Sequence, residues 1–395
     1  MSLLLYESNQ ILLMNKNILL ILIVALTGCS SGESSKSETD DFQFSYTIDT
    51  VMVDAGEHLF FVQMGLGFSD VDAENKLLYN LNTINHSVEV IDLAQLNLKK
   101  VIQYQADGPD GMGGGFIMKI NQTPDGQTIL FDIMNIKRMD AEGHKLGEIK
   151  LEEEVWKGDE LKPGETVNLS SLSTKDGKIF YGLFSTSGPT AKTGGLVILN
   201  TADQSRKLIR TDFLDFLNQY TIGMELNGRN MKLPEQTRLN LIDDQLLITT
   251  SAKNAIWKYD IQTDSLTEKS FESTITSNVK KGNFPMQTAS MEEFRNAQKE
   301  KSKEVTFGEI IYDQDREIFW RFSKEMERLS ASDSIVYKMV LTAFDKDLNQ
   351  LGEKRLPEAY DNDLSPYLVD GQFWQYLNVE DEVAFVRLKP TFDDE

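Results

Sequence analysis

Three histidines, His58, His86 and His144, are the side chains best suited to acid-base or metal chemistry at neutral pH. They lie 28 and 58 residues apart, so no two have the i+2 or i+4 spacing that is typical of a metal site. His86 and His144 fall in predicted hairpin turns. We therefore expect three separate histidines, and we predict no metal ligand, no cofactor and no catalytic residue among them.

Two loop segments resemble ligand sites but lack required residues. Residues 108–115 read GPDGMGGG, without the Lys-Ser/Thr ending of a phosphate loop. Residues 345–356 begin like a calcium loop, but Gln350 and Leu356 stand where glycine and glutamate are needed. We interpret the first segment as a crossover between sheets and the second as a hairpin turn. A catalytic carboxylate pair could lie anywhere among 62 acidic residues, because sequence gives no distance between them.

Cys29 is the only cysteine, and its context is specific. It follows Leu-Thr-Gly at the end of an apolar run, Ile18 to Leu26, that is too short to span a bilayer. A signal peptide has a basic N-terminal region, an apolar central region and small residues at the cleavage site, and this segment has all three. The segment resembles the lipobox of bacterial lipoproteins, which implies cleavage before Cys29 and lipidation of that residue. The alternative is a buried core helix with an incidental cysteine.

Residues 1–28 are thus predicted to be a lipoprotein signal peptide, with translation starting at Met14. Residues 29–43 are rich in serine and acids, and we expect them to form a lipidated, flexible tether. Ser30 stands where an aspartate would retain a lipoprotein in the inner membrane. We therefore predict an outer-membrane lipoprotein whose domain is either periplasmic or surface-exposed.

The charge balance argues against one class of partner. Lys and Arg number 40 against 62 Asp and Glu, which gives a net charge of -22. Such a surface repels phosphate backbones, so we expect no nucleic-acid partner. The hydrophobic share of 40% is typical of a globular protein.

The body of the chain, residues 44–395, reads as a single all-β domain. Short runs rich in β-branched and aromatic residues alternate with Gly, Asn and Asp turns. The predicted strands include 76–79, 129–133, 178–183, 246–249, 317–322 and 372–377. Residues 291–303 are the main exception, and we predict an exposed helical insertion near 288–303.

A hairpin motif recurs along this domain. An Asp or Asn near the end of a strand is followed by a polar turn and a returning strand, at Asp92, Asp140, Asn200, Asp260 and Asp345. The intervals of 48, 60, 60 and 85 residues indicate a repeated unit of about four strands. A last unit, 366–390, is one strand short, and residues 44–53 can supply that strand. We predict a six-bladed β-propeller of four-stranded antiparallel blades, closed by pairing of the N- and C-terminal strands. A solenoid or a pair of β-sandwiches is the alternative.

The lipobox, the acidic tether, the unit size and the Gly-Pro-x-Gly element at Gly108 together resemble the six-bladed β-propeller lipoproteins of Bacteroidota, in particular an uncharacterised family of unknown function. The resemblance implies this location and this fold for nearly the whole mature chain. It implies no catalytic residue, because the family has no assigned activity.

Propellers usually bind partners where the innermost strands meet. We predict innermost strands near Leu59, Phe116, Asn168, Arg238, Glu309 and Tyr367. A charge within such a strand is costly unless it is paired or faces a wet channel. We therefore predict that Lys119, Arg238, Glu309 and Tyr367 line a binding channel, the alternative being ordinary edge or rim residues.

The leading hypothesis is a lipid-anchored envelope module that binds a protein, peptide or glycan without catalysis. The alternative is a hydrolase or lyase that uses carboxylates at the channel mouth, with or without calcium. A purely structural envelope component is the third possibility. Two carboxylates about 5 to 10 Å apart in a cleft would favour the enzyme.

Overall fold

The computed structural model describes residues 43–113, 117–132, 134–152, 155–186, 192–226, 228–358, 360, 364–380 and 382–392. The predicted signal peptide and the lipidation residue Cys29 lie outside these residues. Within the described residues, no helix is both long enough and apolar enough to cross a membrane.

The β-branched and aromatic runs form strands, as their side chains favour a pleated, half-buried surface. The first two strands are β1 (Phe44–Met52) and β2 (Gln63–Leu66). Sheet 1 contains β3 (Ser69–Asp72), β4 (Leu77–Asn82), β5 (Ser87–Asp92) and β6 (Asn97–Gln103). Sheet 2 contains β7 (Ile117–Gln122), β8 (Thr128–Asp132), β9 (Asn135–Met139) and β10 (Lys145–Lys150).

Sheet 3 has an additional short strand, β11 (Lys157–Gly158), which pairs in parallel with its last strand. Its other strands are β12 (Glu165–Ser173), β13 (Ile179–Thr186), β14 (Thr193–Asn200) and β15 (Ser205–Arg210). A 3-10 helix (Asp215–Tyr220), β16 (Ile222–Leu226) and β17 (Arg229–Leu233) follow. Sheet 4 contains β18 (Thr237–Ile242), β19 (Gln245–Thr250), β20 (Ala255–Asp260) and β21 (Ser265–Ser270).

A short strand, β22 (Gln287–Thr288), and a helix, α1 (Met291–Lys303), precede the last two sheets. Sheet 5 contains β23 (Thr306–Asp313), β24 (Ile318–Leu329), β25 (Ile335–Phe344) and β26 (Gln350–Arg355). Sheet 6 contains β27 (Tyr367–Val369), β28 (Gln372–Val379), β29 (Glu382–Phe392) and β1. The chain is therefore all-β and built from several four-stranded antiparallel sheets. In sheets 1, 2, 4 and 5, strands that pair with each other are consecutive in the chain.

The recurring Asp and Asn residues close the hairpins between the third and fourth strands of sheets 1 to 5. Each side-chain oxygen accepts a hydrogen bond from a backbone N–H two or three residues further on, which is the geometry of an Asx turn. The donors are Ala94, Glu142, Ala202, Thr263 and Asp347, at 2.7 to 3.0 Å. The repeat in the sequence thus corresponds to a repeated turn, and residues 345–350 form such a hairpin turn.

The core consists of apolar clusters that lie between sheets. Five of these clusters join consecutive sheets, from sheets 1 and 2 to sheets 5 and 6. In one of them the rings of Phe131 and Phe180 lie 5.8 Å apart, and in another Trp320 and Phe373 lie 5.9 Å apart. A sixth cluster joins sheet 6 to sheet 1, with Phe385 beside Leu78.

The two ends of the domain pair with each other, as expected from the short last unit. β1 runs antiparallel to β29 in an unbroken register from Phe44 opposite Phe392 to Met52 opposite Ala384. Phe44 also packs its ring 5.1 Å from Trp320. The fourth strand of the last sheet therefore comes from the start of the domain.

The helical insertion differs from the prediction in its exposure. α1 starts at the cap Ser290, whose side chain accepts a hydrogen bond from the Glu293 N–H. Its side chains Phe294, Ala297 and Lys301 are buried, and the first two pack in a cluster with the 3-10 helix and β16. The helix itself is confirmed, but it is exposed on one face only, because the other face packs this apolar pair against the rest of the domain.

Candidate functional site

Each sheet has an edge strand from which an antiparallel run of consecutive strands starts, and we call β3, β7, β12, β18, β23 and β27 the first strands of sheets 1 to 6. The four predicted channel residues all lie on first strands. Lys119 is on β7, Arg238 on β18, Glu309 on β23 and Tyr367 on β27. The prediction of a first strand near Leu59 is wrong, because Leu59 lies outside the strands and is 86% exposed. The apolar run that follows it is held by side chains of sheet 1 rather than by a neighbouring strand: the Asn80 amide donates to the Phe61 carbonyl at 2.8 Å.

Two cavities lie among these first strands. The large cavity has a volume of about 950 Å³ and the small cavity about 420 Å³. Lys119 and Glu309 line both cavities, while Arg238 lines the large one and Tyr367 the small one. First strands of all six sheets contribute to the combined lining, through Asp70, Lys119, Asn168, Arg238, Glu309 and Tyr367. The structure therefore brings the predicted residues together around adjoining spaces.

Irregular backbone positions some of these side chains. The register between β7 and β8 shifts between Ile117 and Lys119, and that between β23 and β24 shifts between Phe307 and Ile310. A bulge places an extra residue on one strand and changes the direction in which side chains point. Lys119 and Glu309 are thus placed at bulges, a feature that is common near binding sites.

The small cavity combines two carboxylates with several hydroxyl groups. Asp70 Oδ2 accepts a hydrogen bond from the Gln122 backbone N–H at 2.7 Å. Burial nevertheless raises the pKa of Asp70 above its ordinary value, since the loss of hydration outweighs this bond and the nearby Lys119 charge. Within the described residues, Glu309 makes no side-chain hydrogen bond or ion pair. The Tyr367 hydroxyl bonds to the Ser69 hydroxyl and so connects sheet 6 with sheet 1.

The large cavity carries more positive than negative charge. Its charged lining residues are Lys119, Lys192, Lys232, Arg238, Glu235 and Glu309. The Arg238 guanidinium donates to the Gln236 side chain at 2.6 Å, and Lys192 Nζ lies 3.7 Å from Asp215. This local balance is the reverse of that of the whole chain, where acids exceed bases by 22.

A cap covers one side of the large cavity, and sequence reasoning missed it. The cap consists of the 3-10 helix, the small sheet formed by β16, β17 and β22, and α1. Leu217, Asn218 and Gly223 from the cap line the cavity. The signal that could have indicated it is the helical spacing of apolar residues from Phe213 to Leu217, which are packed around Trp257 and the cap core.

The three histidines lie in different local settings. His144 lies in a hairpin turn, with Nδ1 3.1 Å from Asp140, and His86 occupies a turn with φ of 52°. His58 Nε2 bonds to the buried Glu89 at 2.8 Å. The described residues contain no group of three or more His, Cys, Asp and Glu side chains that could hold a metal ion.

Two solved structures from Bacteroides match this chain, and the first of them shares its fold. A member of the DUF4221 family from Bacteroides vulgatus superimposes with a TM-score of 0.63 at 12% identity, covering 90% of this chain and 100% of that chain. A candidate exported protein from Bacteroides fragilis gives a TM-score of 0.49 at 11% identity, covering 88% and 95% of the two chains. No curated protein matches the chain.

The first of these similarities establishes a common fold and no activity. The model of a domain of unknown function, DUF4221, matches residues 41–355, which is most of the chain. The protein therefore belongs to the DUF4221 family.

Proposed function

We propose that the protein is a lipid-anchored module of the cell envelope that binds a peptide, protein or glycan segment in a central channel, without chemistry of its own. The observation that carries this proposal is the lining of the two cavities by first strands of all six sheets. Strands that converge in this way place polar side chains from distant parts of the chain around one space.

The proposed channel requires the six sheets to close into a propeller. The order of the apolar clusters supports this arrangement, because each sheet shares a cluster with the next and sheet 6 shares one with sheet 1. The pairing of β1 with β29 would then hold the two ends of the ring together. A closed ring also removes the exposed strand edges that invite aggregation.

The lining favours a polar ligand. Lys119, Arg238 and Glu309 offer donors and acceptors, and the Asn168 amide adds one group of each kind. The cap supplies an apolar surface at Leu214 and Leu217. A segment with both hydrogen-bonding groups and a small apolar face would match these walls.

The test is a binding screen with immobilised envelope glycans and peptides. A variant with Lys119→Ala, Arg238→Ala and Glu309→Ala should bind the selected ligand at least about tenfold more weakly, because several central contacts are lost. Lys346→Ala, on the exposed hairpin between β25 and β26, is the matched control and should bind as the parent does. Equal affinity of a folded triple variant and the control would rule out the channel as the binding site.

The proposed anchor has an independent test. Growth with an alkyne-tagged fatty acid should label the protein, and Cys29→Ser should abolish the label, because the proposed acylation needs the thiol. A label that survives this substitution, or its absence from the parent protein, would remove the proposal of a lipid anchor without affecting that of the channel.

A second function, carboxylate-based hydrolysis or elimination, is favoured by one observation. Asp70 and Glu309 line the same small cavity, and the raised pKa of Asp70 suits a general acid. In that case Asp70→Asn should abolish turnover of a bound glycan while leaving its affinity within about threefold. Binding without turnover in the parent protein would support the non-catalytic module.

A further inference from the structure

A third cavity, which we call the basic pocket, lies beside the large cavity. Its volume is about 440 Å³, and Pro234, Glu235, Gln236 and Arg238 line both spaces. The basic pocket is formed where α1, Lys280 and the strands of sheets 4 and 5 meet.

Cations outnumber anions in the basic pocket by four to one. Lys280, Lys301, Lys324 and Arg238 line it, and Glu235 is the acid among its lining residues. The side chains of Lys280 and Glu235 are each 2% exposed, and that of Lys301 is 10% exposed. Burying an excess of positive charge is costly unless an anion compensates for it.

The Lys301 ammonium has three oxygen neighbours. Its Nζ donates to the backbone carbonyls of Tyr220 at 2.7 Å and Leu233 at 3.1 Å, and it forms an ion pair with Glu235 Oε1 at 2.9 Å. Two hydrogen bonds and a close anion therefore compensate its burial. The Glu235 carboxylate therefore serves Lys301, and its other oxygen accepts from the Ser251 hydroxyl.

The Lys280 ammonium has fewer hydrogen-bond acceptors than that of Lys301. Its Nζ donates to Thr306 Oγ1 at 3.1 Å, and Glu235 Oε1 lies 3.9 Å away, beyond hydrogen-bond distance. Among the described residues, no other acceptor bonds to this ammonium, so two of its N–H groups remain for a ligand. Burial lowers the pKa of Lys280, since the loss of hydration outweighs the attraction of the Glu235 and Glu304 carboxylates.

We infer that the basic pocket binds an oxyanion, that is, a carboxylate, sulfate or phosphate group, with Lys280 as its central donor. Lys324 and Arg238 add positive charge at the pocket wall, and the Lys324 ammonium is held 4.8 Å from the Tyr337 ring centre. The bound anion would supply a negative charge within hydrogen-bond distance of Lys280, which Glu235 at 3.9 Å does not. This inference does not depend on the proposed channel function, although Arg238 lines both spaces.

Calorimetric titration of the purified protein in buffer of low ionic strength tests the inference. Sulfate, inorganic phosphate and acetate are the probes, and they distinguish tetrahedral anions from a carboxylate. At least one probe should bind with a Kd of about 1 mM or tighter. Lys280→Met should weaken binding at least about tenfold, because a charge-assisted hydrogen bond from a buried ammonium is lost.

The neighbouring Lys281 provides a matched control, because its side chain is exposed and lies outside the lining of the basic pocket. Lys281→Met has the same change of net charge and should leave the Kd within about twofold. If Lys280→Met fails to fold, Lys324→Met should still weaken binding about threefold or more. Absence of binding at about 20 mM of every probe, or equal losses in Lys281→Met and a pocket variant, would overturn the inference.

Discussion

Glu89 illustrates how single polar residues are accommodated in the sheets. The carboxylate is fully buried on β5 and accepts hydrogen bonds from His58 Nε2 and Asn80 Nδ2, each at 2.8 Å. Its two oxygens also accept from the Phe61 backbone N–H, at 3.1 and 3.2 Å. The network connects the segment before β2 to sheet 1. Without the carboxylate, the Phe61 N–H and His58 Nε2 would lose this partner, while the Asn80 amide would keep its bond to the Phe61 carbonyl.

We expect Glu89→Leu to lower the free energy of unfolding by about 3 kcal/mol, because it leaves buried donors without acceptors. Glu89→Gln keeps one acceptor oxygen and should cost less. Urea denaturation at neutral pH measures both values. Glu74→Gln, at an exposed position, should have little effect, and a Glu89→Leu variant as stable as this control would contradict the assigned network.

Asp70 should make stability depend on pH in an unusual direction. Because its pKa is raised on folding, the folded state binds more protons than the unfolded state between the ordinary value of 3.8 and the raised value. Stability from this group therefore falls as pH rises through that window. Asp70→Asn should be more stable than the parent at pH 7, with a difference that shrinks as the pH approaches 3.8.

Asp176→Asn should change stability in the opposite direction to Asp70→Asn. Hydrogen bonds from the side chains of Thr174 and Lys178 lower the pKa of Asp176 to about 2. Its stabilising contribution is present above the unfolded value and is lost as pH falls towards 2, so the asparagine variant should be less stable at pH 7. Urea midpoints across pH compare the two variants, and a shift of the same sign in both would contradict the assignment for Asp70.

Among the strands, β23 depends on a glycine at its bulge. A Cβ added to Gly308 would lie 2.3 Å from the Leu364 carbonyl oxygen and 3.1 Å from that of Phe322. The close approach brings the segment before β27 against sheet 5, next to Glu309. The bulge and the wall of the small cavity are thus parts of one arrangement.

Gly308→Ala should lower the free energy of unfolding by about 1 to 3 kcal/mol, because a backbone segment must move to admit the methyl group. Gly147→Ala in β10 is the matched control, since nothing lies within 4 Å of its added Cβ. Thermal and urea unfolding of the two variants test the prediction. A Gly308→Ala variant with the stability of the control would show that the contact is not needed.

The strands could be predicted where the sequence pattern that specifies them spans only a few residues. The run 372–377 appears as β28, and 129–133 appears within one residue of β8, because alternation and turn residues act over a few positions. The cap was not predicted, since β16 pairs in parallel with β22, more than sixty residues later. Lys119 and Glu309 could be proposed as charges within strands, but the bulges that position them have no clear sequence signal. The grouping of Glu235, Lys280 and Lys301 likewise depends on packing of distant segments.

At the scale of the whole molecule, β1 completes the last sheet. Phe44 is buried with Trp320 and Leu388, and the Lys354 ammonium donates to its carbonyl at 2.7 Å. The strand thus contributes to the cluster between sheets 5 and 6 as well as to the hydrogen bonds with β29.

Phe44→Ala should destabilise the protein by about 3 to 4 kcal/mol, the usual result of deleting a buried aromatic ring. Ile48→Ala, on the same strand but 38% exposed, should cost less than about 1 kcal/mol. Equilibrium urea unfolding followed by tryptophan fluorescence is suited to this comparison because Trp320 is next to Phe44. Equal effects at the two positions would contradict a role for β1 in the core.

The antiparallel register of β1 and β29 has a practical consequence for topology experiments. Phe44 lies directly opposite Phe392, so the polypeptide enters and leaves the folded body at the same corner. An epitope fused directly after Phe392 would therefore lie at the corner where β1 begins, on the side of the domain that the proposed lipid anchor at Cys29 would attach. Antibody staining of intact cells that carry such a fusion would report whether that corner faces the outside of the cell.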